Sequence, residues 1–289
     1  MIRSLALLAL LVTAPVVASV SVVDDAGRTV TLPAPAHRIV SLAPNITDAL
    51  FAAGAGAYVV GTSRFTEYPE AAKKVPIVGD ATMIDLERIV ALKPDIVVVW
   101  KSGNAASQVE KIVRLGIPVF YAETTRLADV AAATRRFGVL AGTADAATRA
   151  AQGFEQSLAD LRTTYAGRRR LKVFYQIWDR PLMTIGRAQI IDDAIALCGG
   201  TNVFADLTQA APTVSREAVL ARDPDVILSG GSTGEALDVW KASGFLTAVE
   251  HGNVFSIDAP TLALPSPSIL PGVATLCRAL DDARGRAAR

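Results

Sequence analysis

The sequence predicts an α/β protein in which two doubly wound lobes are joined by a single long helix. Strand-like and helix-like segments alternate along most of the 289 residues, which favours mostly parallel sheets. One uninterrupted helical pattern occupies the middle of the chain. In addition, the segment DLERIVALKPDIVVVW (85–100) has a near copy in SREAVLARDPDVILSG (215–230), with Glu87 and Glu217 in register. Two lobes that each contain one helix–Pro-Asp–strand unit explain this repeat.

The predicted first lobe begins with a hairpin and continues as alternating strands and helices. VSVVDDAGRTVTL (20–32) consists of two β-rich runs around an Asp-Ala-Gly turn. RIVSL (38–42) predicts a short buried strand, and we expect Asn45 to cap the helix that follows it. Besides the first copy of the repeat, the later elements of this lobe are a strand at 58–63, a helix at 108–116, a strand at 117–123 and a helix at 127–142.

The middle of the chain predicts one long helix that links the lobes. Residues 144–166 contain no proline and a single glycine, and apolar side chains recur at helical spacing from Phe154 to Tyr165. Such a helix has roughly 22–24 residues and is about 30 Å long or more. A second strand–helix series starts with RLKVFYQIW and ends near Leu280. The predicted division is a signal peptide at 1–18, a first lobe at 19–142, a bridging helix at 143–167 and a second lobe at 168–289.

The first 18 residues have the features of an export signal. Arg3 gives a positive start, an apolar stretch follows from Leu5 to Val17, and Val-Val-Ala ends it at Ala18. A retained membrane anchor is the alternative, although the stretch is short for that role. We therefore expect a soluble periplasmic protein. Lys plus Arg at 29 against Asp plus Glu at 28 gives no reason to expect a nucleic-acid partner, which usually leaves a strong basic excess.

Cys198 and Cys277 are the only cysteines, and export to an oxidising compartment favours a disulfide between them. The alternative is two buried free thiols. The two histidines, His37 and His251, have no metal-ligand spacing with each other or with the cysteines, so we expect no metal site.

An enzyme is not expected, and no catalytic residue is assigned. Residues 230–234 match the G-x-S-x-G pattern of a nucleophile elbow, but His251 follows too soon for the intervening elements of that fold. A glycine-rich turn is the simpler interpretation. The chain contains neither a Walker A loop nor a G-x-G-x-x-G motif, and no cofactor is expected.

Four stretches carry a resemblance to a known family: LERIVALKPD (86–95), WKSGNAASQV (100–109), IIDDAIALCGGTNVF (190–204) and VSREAVLARDPD (214–225). They resemble the periplasmic substrate-binding proteins that serve ABC importers of cobalamin, haem and ferric siderophores, over about residues 38–280. The second stretch and the positions of both cysteines are most similar to the cobalamin-binding members. The resemblance implies a rigid linking helix, a ligand cleft between the lobes, a monomer, and delivery to an inner-membrane permease and its ATPase.

The resemblance also gives the two repeated glutamates a role. By residue type alone, Glu87 and Glu217 lie in the first turns of helices capped by Asp85 and Ser215, where a carboxylate gains ~0.3–1 kcal/mol from the helix dipole. In the family, acids at these positions lie on the exposed tips of the lobes and pair with arginines of the permease. We therefore predict both as docking residues.

The ligand should bind between the lobes, at the carboxyl ends of the parallel strands. Trp100 and Trp178 each lie at such a strand end, although a tryptophan there also packs under loops. By resemblance, Phe65 replaces a ligand-contacting tyrosine. The candidates drawn from neighbouring loops are Tyr68, Thr261 and Leu262.

The chain departs from the cobalamin-binding members at several cleft positions. Ala81 and Ala211 stand where those members have tryptophans, and the loop at 258–268 is apolar where they carry charged contacts. The predicted function is capture of a corrinoid such as cobalamin for an ABC importer. The alternative is a haem or ferric-siderophore binder, for which Arg64 and Arg180 would serve an anionic siderophore.

Overall fold

The computed structural model describes residues 19–230 and 235–287. The predicted signal peptide and residues 231–234 of the G-x-S-x-G pattern lie outside these ranges. Within them, no helix combines the length and the apolar character that a membrane span requires.

The first half of the fold is a hairpin followed by a parallel sheet flanked by helices. Strands β1 and β2 pair antiparallel, and the remaining strands form a parallel sheet in the order β4-β3-β5-β6. The elements are β1 (Val20–Val23), β2 (Thr29–Leu32), β3 (Ile39–Ser41), α1 (Pro44–Ala52), β4 (Val59–Gly61), α2 (Leu86–Ala91), β5 (Ile96–Trp100), α3 (Ala106–Arg114), β6 (Val119–Ala122) and α4 (Leu127–Ala141).

After the connecting helix, the second half repeats the same strand order. Its parallel strands follow the order β9-β7-β10-β11, and β8 adds an antiparallel partner to β7. The elements are α5 (Ala144–Tyr165), β7 (Leu171–Asp179), β8 (Leu182–Thr184), α6 (Ile190–Leu197), β9 (Gly200–Asn202), α7 (Arg216–Arg222), β10 (Val226–Gly230), α8 (Glu235–Lys241), α9 (Thr247–Glu250), β11 (Val254–Ile257) and α10 (Leu270–Ala287).

Both sheets are covered on both faces, which defines a doubly wound fold. Successive side chains of a strand point to opposite faces. In β5, Ile96 and Val98 belong to one hydrophobic core, and Val97 and Val99 belong to another on the opposite face. Strand β10 shows the same alternation between two cores of the second half. The predicted α/β class is confirmed.

Helix α5 has one buried stripe that contributes to a core in each half. Ala147 packs in a core of the first sheet, whereas Ala151, Phe154 and Leu158 pack in a core of the second. At 1.5 Å per residue, its 22 residues span about 33 Å. We propose 19–142 and 168–289 as the two lobes, with 143–167 as the bridge.

Two predicted helix ends were wrong. Helix α1 begins at Pro44, with Ala43 as its N-cap and no side-chain capping bond from Asn45. Proline suits a first helical position because its φ is already helical and its missing N–H is not needed there. Helix α10 continues past Leu280, because Arg284 donates hydrogen bonds to three backbone carbonyls outside the helix and so fixes its last turns.

The disulfide between Cys198 and Cys277 is present, and both half-cystines are fully buried. It joins the end of α6 to the middle of α10, so it lies within the second lobe. In the chain-entropy model, a loop of this length stabilises the fold by up to ~4–5 kcal/mol.

The repeated Pro-Asp pairs bind each repeat unit to the first core strand of its own lobe. The Oδ2 atom of Asp95 accepts hydrogen bonds from the backbone N–H groups of His37 and Arg38, each at 2.8 Å, just before β3. In the second lobe, Oδ2 of Asp225 accepts one from the N–H of Lys172 at 2.6 Å, in β7. The aspartate of the repeat therefore has an architectural role.

Replacing either aspartate should destabilise the fold. We expect Asp95→Ala and Asp225→Ala each to lower the free energy of unfolding by about 1–2 kcal/mol, because backbone donors lose a charged acceptor. Urea denaturation measures this. Asp238→Ala is the control, since Asp238 makes an exposed ion pair with Lys241 that should contribute little. Equal midpoints for all three variants would contradict the architectural role.

Candidate functional site

A cleft of about 670 Å³ opens between the two lobes. The first lobe contributes the segment around Phe65 and Tyr68, and the second contributes the loop before α10. Its lining residues are Pro44, Phe65, Glu67, Tyr68, Pro69, Glu70, Lys73, Pro260, Leu264 and Ser268. The structure thus brings two of the predicted ligand residues, Phe65 and Tyr68, into one cavity.

Two hydrogen bonds between the lobes lie at one edge of this cleft. Ser268 donates its backbone N–H (3.2 Å) and its hydroxyl (2.9 Å) to the carboxylate of Asp48, which is buried in α1. A buried carboxylate needs such donors, because burial removes its water. The contact therefore fixes the loop before α10 against the first lobe.

Phe65 has the unusual backbone conformation of the site. Its φ is +66°, in the left-handed region that non-glycine residues rarely adopt, and 74% of the residue is exposed. Such outliers persist where the surroundings hold them and are often found at binding sites. Here the fold holds an aromatic ring out into the cleft at a cost to its own stability.

A chain of buried hydroxyls holds the segment on both sides of Phe65. Thr47 on α1 bonds to the hydroxyl of Thr62 (2.7 Å), and Thr62 bonds to that of Thr66 (3.0 Å). Thr66 in turn donates to the carbonyl of Ser63 (2.8 Å). Because these bonds link residues 62–66 to α1, they preserve the strained geometry of Phe65.

The only charged residues among the cleft-lining set form one cluster. The ammonium of Lys73 lies 2.9 Å from Glu70 and 3.2 Å from Glu67. Lys73 donates hydrogen bonds to Glu70 and, with a smaller effect, to Glu67, and these bonds raise the pKa of Lys73. Sequence reasoning missed this cluster, although the i,i+3 spacing of Glu70 and Lys73 is a local signal for an ion pair.

The structure places Trp100 under a loop, which is the alternative interpretation of this residue. Its indole Nε1 donates to Glu123 at 3.1 Å, and Gly103 packs so closely on the ring that a Cβ there would collide with it. Trp178 lies at the β7–β8 turn, exposed, with Nε1 donating to the carbonyl of Arg180 at 3.0 Å. Neither tryptophan is among the lining residues, and both stay predictions as ligand contacts.

Neither of the two predicted contacts in the late loop, Thr261 and Leu262, is among the residues that line the cleft. Leu262 is fully buried in the core of the second lobe and Thr261 is nearly buried, whereas Pro260 and Leu264 line the cleft. Gly272 of α10 packs closely on this loop, and a Cβ there would come within 2.8 Å of the backbone nitrogen of Leu262. As ligand contacts, Thr261 and Leu262 stay predictions.

The two repeated glutamates occupy equivalent, exposed positions. Glu87 and Glu217 are the second residues of α2 and α7. Asp85 caps α2 by accepting from the N–H of Arg88 at 2.9 Å, and the Ser215 hydroxyl caps α7. The pKa of Glu217 is lowered by its own backbone N–H and by the Ser215 hydroxyl.

A recess lies next to each of these helices. The one near α2 measures about 270 Å³ and includes Asp85 and Arg88, and the one near α7 measures about 280 Å³ and includes Arg180 and Arg216. Of the positions that depart from the cobalamin-binding pattern, Ala81 is half-buried and Ala211 is exposed, and neither lines the cleft. In the part of the chain that the structure describes, no cluster of His, Cys, Asp or Glu is arranged to hold a metal ion.

Comparisons with known proteins identify the class. The periplasmic binding protein family model matches residues 39–261. The vitamin B12-binding protein of Salmonella paratyphi A is 37% identical over 247 residues, which cover 86% of this chain and 91% of the relative. The corresponding protein of Vibrio cholerae is 33% identical over 255 residues, 87% and 92% of the two chains. The chain therefore belongs to the periplasmic binding protein family, whose members bind substrates for transport and are not enzymes.

Solved structures agree with this assignment. The periplasmic vitamin B12 binding protein BtuF of Vibrio cholerae superposes with a TM-score of 0.80 at 33% identity, covering 86% of this chain and 98% of that one. The periplasmic heme-binding protein RhuT from Roseiflexus sp. RS-1 gives a TM-score of 0.75 at 25% identity, with coverages of 86% and 98%.

The strain at Phe65 leads to a prediction about stability. We expect Phe65→Gly to be more stable than Phe65→Ala by about 1 kcal/mol, because glycine adopts a positive φ without a steric penalty. Thermal or urea unfolding of the two variants measures the difference. Phe245 provides the control, since it is similarly exposed at 69% but has no positive φ. There, glycine should be no more stable than alanine, and the same order at both positions would contradict the strain.

Proposed function

We propose that this chain is the periplasmic substrate-binding subunit of an ABC importer and that its ligand is a corrinoid, cobalamin or a close analogue. Residues 1–18 would direct its export, and it would act as a soluble monomer that delivers the ligand to an inner-membrane permease and its ATPase. The observation that carries the proposal is the cleft between the lobes, with the ring of Phe65 exposed in it, in a chain whose vitamin B12-binding relatives match along more than 85% of its length.

The volume and the mostly apolar lining of the cleft are compatible with a macrocyclic ligand. Its lining combines aromatic, proline and leucine side chains with a few polar groups, as is usual for small-molecule sites. His37 stacks on Tyr58 at 4.3 Å and His251 follows α9, so neither histidine lines the cleft. An axial histidine for haem iron is therefore missing from the described lining.

Haem is the second candidate, and one observation favours it. Tyr68 lines the cleft and is partly exposed, and a tyrosine oxygen is a known haem ligand. A haem protein would then depend on that hydroxyl, whereas a corrinoid protein would not. The absorption spectra of the protein incubated with cyanocobalamin and with hemin separate the two functions.

We expect one equivalent of cyanocobalamin to bind and co-elute with the protein. Phe65→Ala should weaken this binding on the order of tenfold, because the ligand loses an aromatic contact. Phe245→Ala, an exposed phenylalanine outside the cleft, is the control. Isothermal titration calorimetry measures both variants. No binding of any corrinoid, together with hemin binding that Tyr68→Phe abolishes, would establish the haem alternative instead.

The same proposal assigns permease docking to Glu87 and Glu217. Their equivalent positions at exposed helix starts, each with a recess beside it, support a partner that contacts both lobes at once. Rim charges of this kind set the register of a complex and speed its formation. An arginine of the permease opposite each glutamate is the expected partner.

The variant Glu87→Gln/Glu217→Gln should bind ligand normally and fail to support transport. Each loss of a desolvated charge pair costs on the order of 2 kcal/mol or more. Uptake of ligand into vesicles that carry the cognate permease measures the effect, and raised salt should weaken uptake by the unmodified protein as well. Glu250→Gln, an exposed glutamate on α9, is the control. Normal uptake with the double variant would leave the two glutamates with a helix-capping role alone.

A further inference from the structure

All charges among the described residues that line the cleft lie on its first-lobe wall. They are the carboxylates of Glu67 and Glu70 and the ammonium of Lys73. The second-lobe wall contributes Pro260, Leu264 and Ser268, none of which is charged. A ligand between the walls therefore meets charged groups along one edge and uncharged groups along the other.

Within this cluster the positive charge is already paired. Two carboxylates contact the single ammonium at 2.9 and 3.2 Å, which leaves a net charge of −1 on the three groups. The side chains of Glu67 and Glu70 are 67% and 84% exposed. Each carboxylate has more acceptor sites than one lysine fills, and it has no donor to offer. The cluster can therefore accept further hydrogen bonds from a ligand.

An anionic ligand needs a free cation in the cleft rather than free acceptors. To bind a carboxylate or catecholate, a site usually presents a free arginine or lysine. Among the described lining residues Lys73 is the one cation, and a ligand anion would have to compete with Glu67 and Glu70 for it. Displacing either glutamate would leave its negative charge facing the ligand.

We infer that the cluster of Glu67, Glu70 and Lys73 selects the ligand by charge, accepting neutral or cationic macrocycles whose edge carries primary amide N–H donors and rejecting those that carry carboxylates. This inference rests on the proposed function and adds a specificity device to it. The donor edge of the ligand would face Glu67 and Glu70, and its flat face would contact Phe65.

A matched pair of ligands tests the inference. Cyanocobalamin and its monocarboxylic acids differ by the conversion of one peripheral carboxamide to a carboxylate. For at least one position of that carboxylate, the unmodified protein should prefer the amide form roughly tenfold or more. In Glu67→Gln/Glu70→Gln the lysine is released and the cluster becomes positive. The preference at that position should then shrink to within a few-fold or reverse.

Two further variants sharpen the comparison. Glu110→Gln removes an exposed glutamate that pairs with Arg114 on α3, outside the cleft, and should keep the preference of the unmodified protein. Lys73→Gln removes the one cation and should strengthen the preference for the amide form. Circular dichroism of each variant confirms that it is folded.

Two results with corrinoids would overturn the inference. One is equal affinity of the unmodified protein for cyanocobalamin and all of its monocarboxylic acids, and the other is an unchanged preference in folded Glu67→Gln/Glu70→Gln.

If no corrinoid binds at all, the proposed function fails, and the inference is then tested with hemin, a porphyrin dicarboxylate. Tighter hemin binding by the double variant than by the unmodified protein would then support charge selection, and equal binding would refute it.

Discussion

The buried stripe of helix α5 is the constraint on which the rest of the structure depends. One end of the stripe, at Ala147, packs in a core of the first lobe, and the other end, from Ala151 to Tyr165, packs in a core of the second. A helix interior is stiff, so a helix anchored in two close-packed cores fixes the distance and angle between them. The width of the cleft is set by this packing.

With the lobes held in this way, hydrogen bonds also fix one element on each side of the cleft. The hydroxyl chain through Thr47 and Thr62 holds Phe65 in a strained conformation, and the bond from Ser268 to Asp48 holds the opposite loop. Both devices reduce the ordering that ligand binding would otherwise require. The strained backbone of Phe65 lowers local stability, and it keeps this side of the cleft preorganised.

The internal repeat stabilises the packing within each lobe. Its aspartates, Asp95 and Asp225, connect each copy to the first core strand of its lobe, and its capping residues start two equivalent helices. Those same helix starts expose Glu87 and Glu217. A partner that contacts both lobes therefore meets one surface motif twice. One unit of sequence thus supports the packing of each lobe and presents a matching acid on both.

Local patterns in the sequence were sufficient for the α/β class, the long helix and the equivalence of the two repeats, because periodicity and capping act over a few residues. The export signal implies an oxidising compartment, and this predicted the disulfide between Cys198 and Cys277. The cleft required the tertiary structure, since Phe65 and Leu264 are almost 200 residues apart and loops have no periodicity that reveals which side chain faces inward. Leu262 is fully buried beside Gly272, a neighbour that only the packing of α10 provides. The pairing of Lys73 with Glu70 is local, at i,i+3 spacing, and the position of that cluster on the wall of the cleft is what the fold decided.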